Sequence, residues 1–271
     1  MKVEQTCTIV EAVQLPSGGV SMTFQSHGMA AQITRPGQFV HVRCGEGLLL
    51  RRPISICSWS VEGDLIRMVF EARGEGTQWL AQRQVGETLD VLGPLGHGFD
   101  PTVKKILVVG GGIGVPPMLG VARAAAAAGA EVHAALGFRD QGHQMLTDEF
   151  AECCRSMSVI SDDGSTGRKG FVTELVEEFL QNQTRASAAC AACAGKPVPP
   201  AVLACGPKGM LKAVAAVCAA HGVACQVSLE ERMGCGVGAC LVCACDMADG
   251  SRKHVCKDGP VFNAKEVDWN D

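Results

Sequence analysis

The chain has 271 residues, of which 47% are hydrophobic, so it can bury the cores of about two domains. Its net charge is −4 at pH 7 and it has no long run of like charge, which argues against nucleic acid or an anionic membrane as a partner. Its fifteen cysteines are spread through apolar and glycine-rich segments, which indicates a reducing compartment with metal-binding thiols rather than a secreted disulfide framework.

Neither a signal peptide nor a membrane span is predicted. Residues 1–13 carry scattered charges and lack a continuous apolar core. The richest apolar stretch, from Val121 to Leu136, is interrupted by Arg123, Glu131 and His133 and is too short to cross a bilayer. We therefore expect a cytoplasmic protein without a membrane partner.

Residues 1–101 are predicted to form an antiparallel β-barrel domain. Short β-branched runs alternate with glycine or proline turns, and helical periodicity is nearly absent. One helix is expected, from Thr77 to Gln84, and the glycine-rich segment from Gly93 to Phe99 is expected to link this domain to the next. The clearest strands are Thr6–Val13, Gln38–Val42, Leu65–Phe70 and Thr88–Leu92.

Two patches in this domain indicate flavin binding. Arg52-Pro53-Ile54-Ser55 resembles the R-x-x-S motif of the ferredoxin-reductase superfamily, in which arginine meets the flavin pyrophosphate and serine hydrogen-bonds the isoalloxazine ring. Many members carry a ring-stacking tyrosine inside this motif, whereas this chain has Ile54 there and no tyrosine at all. An aliphatic side chain is therefore expected to cover the ring.

The second patch is a strand, a glycine turn and the start of a helix. Val69-Phe70-Glu71 precedes Gly74-Glu75-Gly76-Thr77, and Thr77 lies near the predicted helix N-cap. Backbone N–H groups at such a turn, together with the helix dipole, can hold a phosphate. The order and spacing of the two patches predict FAD.

The middle of the chain, residues 102–225, is predicted to be a nucleotide-binding α/β domain. A buried parallel strand at Lys105–Val109 leads into Gly110-Gly111-Gly112-Ile113-Gly114 and a helix from Pro117 to Ala128. Glycines at this position let a pyrophosphate approach the helix N-terminus. The spacing differs from G-x-G-x-x-G and resembles the G-G-x-G-h-x-P form of the same superfamily, where h is aliphatic, which favours NAD.

The next predicted unit is a strand from Glu131 to Phe138, followed by Arg139 and Asp140. Ligands of open α/β sheets lie beyond the carboxyl ends of strands, so both residues are expected at the adenosine ribose. Asp140 would accept from a ribose hydroxyl and repel a 2′-phosphate, which favours NAD over NADP, while Arg139 would do the reverse. A weak strand at Ser158–Ser161 and a loop at residues 162–167 follow; the loop either lines the nucleotide site or is plain turn chemistry.

The rest of this domain is predicted to consist of a helix, an insertion and the nicotinamide segment. A helix is expected at Thr173–Leu180 and an exposed insertion at residues 181–200, whose Cys190 and Cys193 have only the spacing of a redox pair. Ala201–Ala204 is the last clear strand, with a helix expected from Leu211 to His221. Between them, Cys205-Gly206-Pro207-Lys208-Gly209-Met210 resembles the superfamily segment that meets the nicotinamide. No catalytic acid or base is assigned, because the chemistry belongs to the cofactors.

Residues 226–271 are predicted to form a small iron–sulfur domain. Cys235, Cys240, Cys243 and Cys256 have the pattern C-x4-C-x2-C-x12-C, and the first three have the spacing of plant-type 2Fe–2S ferredoxins. Gly234, Gly236 and Gly238 permit the backbone that such a loop requires. Zinc is the alternative, but only Cys240 and Cys243 form a knuckle of the kind zinc sites pair.

Nearly the whole chain, except residues 181–200, resembles one family closely. Its most specific stretches are Ser228–Cys240, the Asp162–Thr173 loop and Val255-Cys-Lys-Asp-Gly-Pro-Val-Phe262, which resemble the electron-transfer subunits of NAD-dependent (class 1B) dihydroorotate dehydrogenase. The resemblance implies that dihydroorotate is oxidised at an FMN of a separate catalytic subunit. It also implies that electrons cross the cluster and FAD to NAD+ in pyrimidine biosynthesis, within a heterotetramer of two subunits of each type.

Two other functions stay open. One is a related flavin and iron–sulfur subunit serving another partner, such as an NADH-dependent ferredoxin:NADP oxidoreductase or a sulfhydrogenase. The other is a non-enzymatic iron–sulfur sensor that has lost hydride transfer. Reduction of the flavin by NADH under anaerobic conditions would exclude the sensor.

Overall fold

The computed structural model describes residues 3–189 and 198–270. The chain divides into two compact units, and the first of them is discontinuous in sequence. Unit 1 contains residues 1–99, 228–262 and 266–271, while unit 2 contains residues 100–227 and 263–265. The prediction of three domains with boundaries after residues 101 and 225 stays a prediction, and Cys190 and Cys193 lie outside the described residues. No helix in the described ranges is long and apolar enough to cross a membrane.

The first part of unit 1 is a closed barrel of six strands in the order β1-β2-β5-β4-β3-β6. All six pairings are antiparallel, as the sequence predicted. Its elements are β1 (Val3–Gln14), β2 (Gly19–Gln25), β3 (Phe39–Val42), β4 (Arg52–Ser60), β5 (Leu65–Glu71), α1 (Glu75–Ala81) and β6 (Thr88–Leu95). Buried side chains on the inward faces, among them Ile9, Met22, Phe24, Ile56, Met68 and Leu89, fill the interior.

The segment expected to be a linker is partly a strand. β6 runs to Leu95, because Gly93 pairs with Val3 of β1 and Leu95 pairs with Phe39 of β3. Cross-strand hydrogen bonds on both sides outweigh the turn preference of glycine and proline there. Beyond the strand, the His97 N–H donates to the Gly259 carbonyl at 2.6 Å, so this segment also contacts the C-terminal part of unit 1.

Unit 2 is a parallel α/β layer structure. Six neighbouring strands of its seven-stranded sheet have the order β10-β9-β8-β7-β11-β12, which places β7 centrally. The sequence of β7 supplies a buried run that contains the β-branched residues Ile106, Val108 and Val109. The elements are β7 (Lys105–Gly111), α2 (Val115–Ala127), β8 (Glu131–Phe138), α3 (Thr147–Cys153), β9 (Ser156–Ser161), β10 (Arg168–Lys169), α4 (Val172–Ala189), β11 (Ala201–Cys205), α5 (Lys208–Ala220) and β12 (Ala224–Ser228).

Three expectations for this unit were wrong in extent. α4 continues to Ala189, so residues 181–189 are helical and not a loop insertion. Side-chain bonds one turn apart, from Gln181 to Glu177 and from Thr184 to Leu180, accompany this continuation. Ala201–Cys205 is not the last strand, since β12 follows. α2 begins at Val115 because Pro116 and Pro117 fit the first turn, where no N–H donor is needed.

The C-terminal segment adds three short strands: β13 (Ala244–Asp246), β14 (Arg252–His254) and β15 (Val261–Asn263). β13 and β14 form an antiparallel pair in which Cys245 lies opposite Lys253. Residues 228–262 belong to the same compact unit as the barrel. The four cysteines of the predicted cluster motif therefore lie in the unit that also carries the predicted flavin motif.

Candidate flavin, nucleotide and iron–sulfur sites

The two predicted flavin patches meet in the structure. Arg52 begins β4, and its guanidinium packs against Gly76 in the first turn of α1. A Cβ atom on Gly76 would lie 2.5 Å from Arg52 Nε, so only glycine allows this approach. The first N–H groups of a helix have no partner within the helix. The arrangement places a planar cation beside backbone donors, which suits the pyrophosphate of a dinucleotide.

Thr77 closes the turn before α1. Its hydroxyl accepts from the Gly74 N–H at 3.1 Å and donates to the Gly74 carbonyl at 3.0 Å. Gly74 is the N-cap residue, and Thr77 lies three positions after it in the first turn of the helix. The side chain of Thr77 therefore fixes the turn and leaves the N–H groups of Glu75 and Gly76 at the helix start.

Other predicted flavin residues belong to the barrel wall. Ile54 lies opposite Val40 and packs in the barrel core with 6% exposure, so it offers little surface to a ring, contrary to the expected covering role. Strand alternation explains this, because Val40 and Ile54 share the inward face. Phe70 is also in the core, whereas Ser55 and Glu71 are half-buried and Pro53 is exposed. Val69 is buried.

The predicted pyrophosphate loop and nicotinamide segment lie side by side in unit 2. Parallel pairing of β7 with β11 sets Gly110 opposite Cys205. Gly114 packs so closely on the Cys205 carbonyl that a Cβ atom would overlap with it, and Gly111 packs on Met210 Sδ in the same way. Gly112 has φ +52°, which favours glycine. Close approach between the two segments thus explains Gly111 and Gly114, and backbone conformation explains Gly112.

The nicotinamide segment has its own glycine requirement. Gly206 has φ +157°, and a Cβ atom there would lie 2.5 Å from Met210 Cε. Pro207 caps α5, and its carbonyl accepts from the Leu211 N–H at 3.0 Å. The Cys205 side chain is half-buried at the carboxyl end of β11. This thiol therefore lies at the sheet edge where nucleotides bind in such folds.

Arg139 and Asp140 follow β8 at the same edge of the sheet. Arg139 is exposed, while Asp140 accepts from the backbone N–H of His143 at 3.1 Å and from its Nδ1 at 2.8 Å. The His143 contact, which sequence reasoning missed, lowers the pKa of Asp140. An ionised carboxylate at this position is the charge expected to disfavour a 2′-phosphate.

The loop at residues 162–167 shows the turn chemistry that the sequence indicated, and its lining of the nucleotide site stays a prediction. Asp163 accepts from the N–H of Ser165 at 2.9 Å and from its hydroxyl at 2.7 Å, which is ordinary turn chemistry. The Ser165 hydroxyl also accepts from the Gln141 N–H at 2.7 Å. The loop therefore lies beside the turn that follows Asp140.

The four predicted cluster thiols converge in one network. Backbone donors from Val237 and Ala239 reach Cys235 Sγ at 3.4 and 3.2 Å. The Cys235 N–H donates to Cys240 Sγ at 3.4 Å, and the Gly238 N–H donates to Cys256 Sγ at 3.1 Å. The Cys256 N–H donates to Cys243 Sγ at 3.4 Å. Several N–H donors turned toward sulfur stabilise thiolates, the form that iron binds.

The acidity of Cys235 and the backbone shape of this loop agree with that use, whereas burial raises the pKa of Cys256 to about 12. Burial opposes ionisation of Cys235, but the N–H donors of Val237 and Ala239 outweigh it and lower the pKa of Cys235 to about 6. Gly236 and Gly238 have φ +71° and +85°, and Gly234 packs on Cys240 Sγ, as the sequence predicted. Within residues 3–189 and 198–270, no group of three or more histidine, cysteine or acidic side chains is arranged around a single metal ion.

His41 is a buried residue next to this loop that sequence reasoning missed. A Cβ atom on Gly236 would lie 2.6 Å from His41 Nδ1. The ring is fully buried, and burial together with Arg51 and Arg52 lowers the pKa of His41 to about 4. A signal was present in the sequence: Phe39-Val-His-Val42 shows no polar alternation, which is typical of a strand covered on both faces.

Comparison with known proteins decides the family. A family model described as the iron–sulfur cluster binding domain of dihydroorotate dehydrogenase B matches residues 230–268, and one described as the oxidoreductase NAD-binding domain matches residues 108–216. The dihydroorotate dehydrogenase B (NAD(+)) electron transfer subunit of Bacillus cereus (strain G9842) is 40% identical over 249 residues, or 88% of this chain and 89% of that protein. The same subunit of Bacillus mycoides (strain KBAB4) is 37% identical over 277 residues, which cover 98% of this chain and 99% of that protein.

The chain belongs to the family of dihydroorotate dehydrogenase B electron-transfer subunits. Membership in this family makes it a subunit of an NAD-dependent flavin and iron–sulfur oxidoreductase and confirms the predicted cofactors, FAD and a 2Fe–2S cluster, with NAD as substrate. The iron–sulfur family model also argues against the zinc alternative.

Solved structures agree with the fold of the dihydroorotate dehydrogenase B family. A structure of NADH-dependent reduced ferredoxin-NADP oxidoreductase, described for flavin-based electron bifurcation, matches with a TM-score of 0.83 and 31% identity over 97% of this chain and 90% of that chain. The ferredoxin reductase in carbazole 1,9a-dioxygenase matches with a TM-score of 0.66 and 20% identity over 82% of this chain and 67% of its own, which supports the fold alone.

Proposed function

We propose that this subunit passes electrons from an FMN-containing, dihydroorotate-oxidising catalytic subunit to NAD+. The observation that carries the proposal is the composition of unit 1, in which the cysteine loop and the barrel with the flavin motif form one compact body. When bound, the flavin exchanges hydride with NAD and single electrons with the cluster, which handles only single electrons.

Named residues of the chain would hold each group. Cys235, Cys240, Cys243 and Cys256 ligate the cluster, and the N–H groups of the loop stabilise their charge. Arg52 and the α1 start at Gly76 hold the FAD pyrophosphate, with Ser55 at the ring. The carboxyl edge of the unit 2 sheet, with Gly110–Gly114, Asp140 and Cys205–Met210, holds NAD. No side chain needs to act as a general acid or base.

The proposed assembly joins this subunit to a catalytic partner. We infer a heterotetramer of two electron-transfer and two catalytic subunits, working in the cytoplasm in pyrimidine biosynthesis. The relatives are named as subunits, which supports a catalytic partner. The buried thiols of Cys7, Cys44, Cys218 and Cys225 are not joined in disulfides, which supports a reducing compartment.

Anaerobic co-purification tests this function directly. The tagged chain should retain a partner protein, and the complex should contain FAD, FMN, iron and sulfide and reduce NAD+ when dihydroorotate is added. A complex that holds all these cofactors but leaves NAD+ unreduced in the presence of dihydroorotate would overturn the substrate assignment.

A second candidate function has one observation in its favour. The solved NADH-dependent reduced ferredoxin-NADP oxidoreductase covers nearly the whole chain at 31% identity, although the dihydroorotate dehydrogenase B relatives reach 40%. A subunit of that kind would serve a partner that uses NADPH and ferredoxin. Assaying the purified complex with reduced ferredoxin and NADP+ in parallel with dihydroorotate separates the two functions.

A further inference from the structure

The two faces of strand β3 are buried against different surroundings. Val40 and Val42 belong to the barrel core, whereas Phe39 and His41 alternate with them on the opposite face. An outward face of a barrel strand is normally open to water. Here Phe39 is 3% exposed and His41 is 0% exposed. Something other than the barrel interior therefore covers this face.

The covering segment is the cluster-binding part of unit 1. Gly236 packs on His41 Nδ1, and Gly96, whose close neighbours are the Gly259 carbonyl and Pro260, also packs on Phe39. Two backbone bonds fasten the same region, from the His97 N–H to Gly259 at 2.6 Å and from the Val261 N–H to His97 at 3.3 Å. His41 thus lies where the barrel and the cysteine loop meet.

The imidazole of His41 has no hydrogen-bond partner among the described residues. Both Nδ1 and Nε2 are buried and unpaired. The Arg51 guanidinium donates at 3.4 Å to the backbone carbonyl of His41 and does not hydrogen-bond the ring. A neutral imidazole carries one donor and one acceptor, and leaving a buried polar atom unpaired is destabilising. A bound group that pairs with the ring would offset this penalty.

The position of His41 in the sheet points to the cofactors. Its cross-strand partner is Pro53, inside the predicted flavin motif, and the next pair along joins Val42 to Arg52. On its other side the ring touches Gly236, which follows the cluster ligand Cys235. The described N–H donors of this loop, from Val237, Gly238 and Ala239, turn toward sulfur. Because sulfur atoms are the acceptors of these bonds, we expect a further donor at the loop to bond to sulfur as well.

We propose that His41 is a positioning residue of the iron–sulfur centre, whose ring N–H donates a hydrogen bond to a sulfur of the bound cluster. The bond ties the cluster to the barrel strand that pairs with the flavin motif. A donor to cluster sulfur stabilises the reduced cluster, so its removal should make the reduction potential more negative. This proposal rests on the proposed function, since it requires the cluster and the flavin to be bound.

The first test is spectroscopic and uses the assembled complex. Protein containing ¹⁵N-histidine is reduced with dithionite, and pulsed electron paramagnetic resonance measures coupling between histidine nitrogen and the reduced cluster. Iron, sulfide and FAD are quantified in the same sample. Absence of iron and sulfide would mean that the proposed function itself fails; coupling absent from a fully loaded cluster would overturn the role of His41 alone.

His254 supplies the matched control. It lies two residues before Cys256, and its Nε2 is also buried and unpaired among the described residues. We expect the coupling to disappear in His41→Leu and to persist in His254→Gln. Coupling lost only in His254→Gln would overturn the proposal. If His41→Leu fails to load the cluster, His254→Gln alone decides, because retained coupling then supports His41 and lost coupling rejects it.

The second test is the reduction potential. A redox titration followed by the cluster signal should show a shift to more negative potential in His41→Leu relative to wild type, at equal iron and sulfide content. His41→Asn or His41→Gln, whose amide N–H can replace one ring nitrogen, should recover part of the shift. An unchanged potential in a fully loaded His41→Leu protein would show that the ring only fills space.

Discussion

At the scale of single residues, a substitution of Cys240 tests the cluster site separately from the flavin site. It is the exposed member of the four cluster cysteines, while Cys243 and Cys256 are buried. We expect Cys240→Ser to lose the cluster and the delivery of electrons between subunits while FAD stays bound, because Arg52 and α1 lie in a different segment of unit 1. Iron, sulfide and flavin analysis of the purified protein measures this.

The control for that variant is the neighbouring Cys245. Its thiol donates to the Lys253 carbonyl at 3.4 Å across the β13–β14 pair, so it serves a structural role. Cys245→Ser should keep both cofactors. A Cys240→Ser protein that keeps its cluster but loses FAD would contradict the assignment of the two sites.

Arg52 carries the second prediction at this scale. Its guanidinium is held against Gly76, so Arg52→Ala removes the charged donor from the proposed pyrophosphate site. Hydrogen bonds to charged groups contribute about 1.5–3 kcal/mol, which corresponds to FAD binding weakened about ten- to hundredfold. Arg43→Ala is the control, since that side chain is largely exposed and pairs with Asp90. Flavin occupancy after dialysis that is equal in both variants would count against the role of Arg52.

Two adjacent thiols at the end of α3 give a prediction outside the cofactor sites. Cys153 Sγ lies 4.0 Å from Cys154 Sγ. A hydrogen bond from Cys154, assisted by the charge of Arg123, lowers the pKa of Cys153 to about 7, whereas the same bond and burial raise the pKa of Cys154. Because the thiolate is the nucleophile, Cys153 should alkylate before Cys154 at neutral pH.

The rate of that reaction should depend on pH. The thiolate fraction of Cys153 rises with pH through its pKa of about 7, so iodoacetamide labelling should increase between pH 6 and 8 and then level off. Peptide mass spectrometry of the holo protein reads the two sites separately. Cys154→Ser replaces the thiol donor with a hydroxyl group that preserves hydrogen bonding, while Cys154→Ala removes it and should slow labelling of Cys153. Equal labelling of Cys153 and Cys154 at pH 7 would refute the assignment.

At the scale of elements, the sequence predicted the types of the strands and helices better than it predicted where they begin and end. The barrel, the parallel sheet and the strand at Glu131–Phe138 follow from local patterns of apolar residues and turns. The extension of β6 through Gly93 and Pro94 depends on two distant strands, β1 and β3, that no local pattern reveals. The inward position of Ile54 likewise depends on its register with Val40.

The candidate sites show the same division. The cysteine spacing and the glycine motifs could be recognised from the sequence because each lies in one short segment. The contacts of His41 with Gly236, of Asp140 with His143 and of Gly114 with the Cys205 carbonyl join residues whose pairing is set by the folded chain. Sequence alone does not show which residues form such pairs.

The β7–α2 turn provides the prediction at this scale. Gly114 has no space for a Cβ atom against the backbone carbonyl of Cys205, which cannot move without shifting β11. We expect Gly114→Ala to destabilise unit 2 by about 1–3 kcal/mol, the usual range for overpacking, and to weaken NADH binding. Thermal unfolding and NADH titration measure the two effects.

Gly209 is the matched glycine for the stability measurement. It lies in the first turn of α5, and a Cβ atom there would meet nothing within 4 Å. Alanine is the better helix former by up to about 1 kcal/mol, so Gly209→Ala should leave stability unchanged or raise it slightly. Equal unfolding temperatures for both variants would refute the packing argument.

At the scale of the whole molecule, the chain separates nucleotide chemistry from cluster binding. Unit 2 is formed by residues 100–227 with 263–265, whereas the segment after it returns to the barrel to complete unit 1. The flavin motif and the cysteine loop therefore share one folded body although 181 residues lie between Pro53 and Cys235 in the sequence. A change that removes the cluster should leave in place the residues of unit 2 that are proposed to bind NAD.

Anaerobic titration with NADH tests this separation. NADH should bleach the flavin absorbance of the complete protein and of protein whose iron has been removed with a chelator, since Gly110–Gly114 and Cys205–Met210 do not depend on the cysteine loop. Only the complete protein should then pass electrons to its partner. Absence of bleaching with FAD and the cluster both present would instead favour an iron–sulfur sensor without hydride transfer, and bleaching that vanishes with the iron would show that the flavin site depends on the cluster.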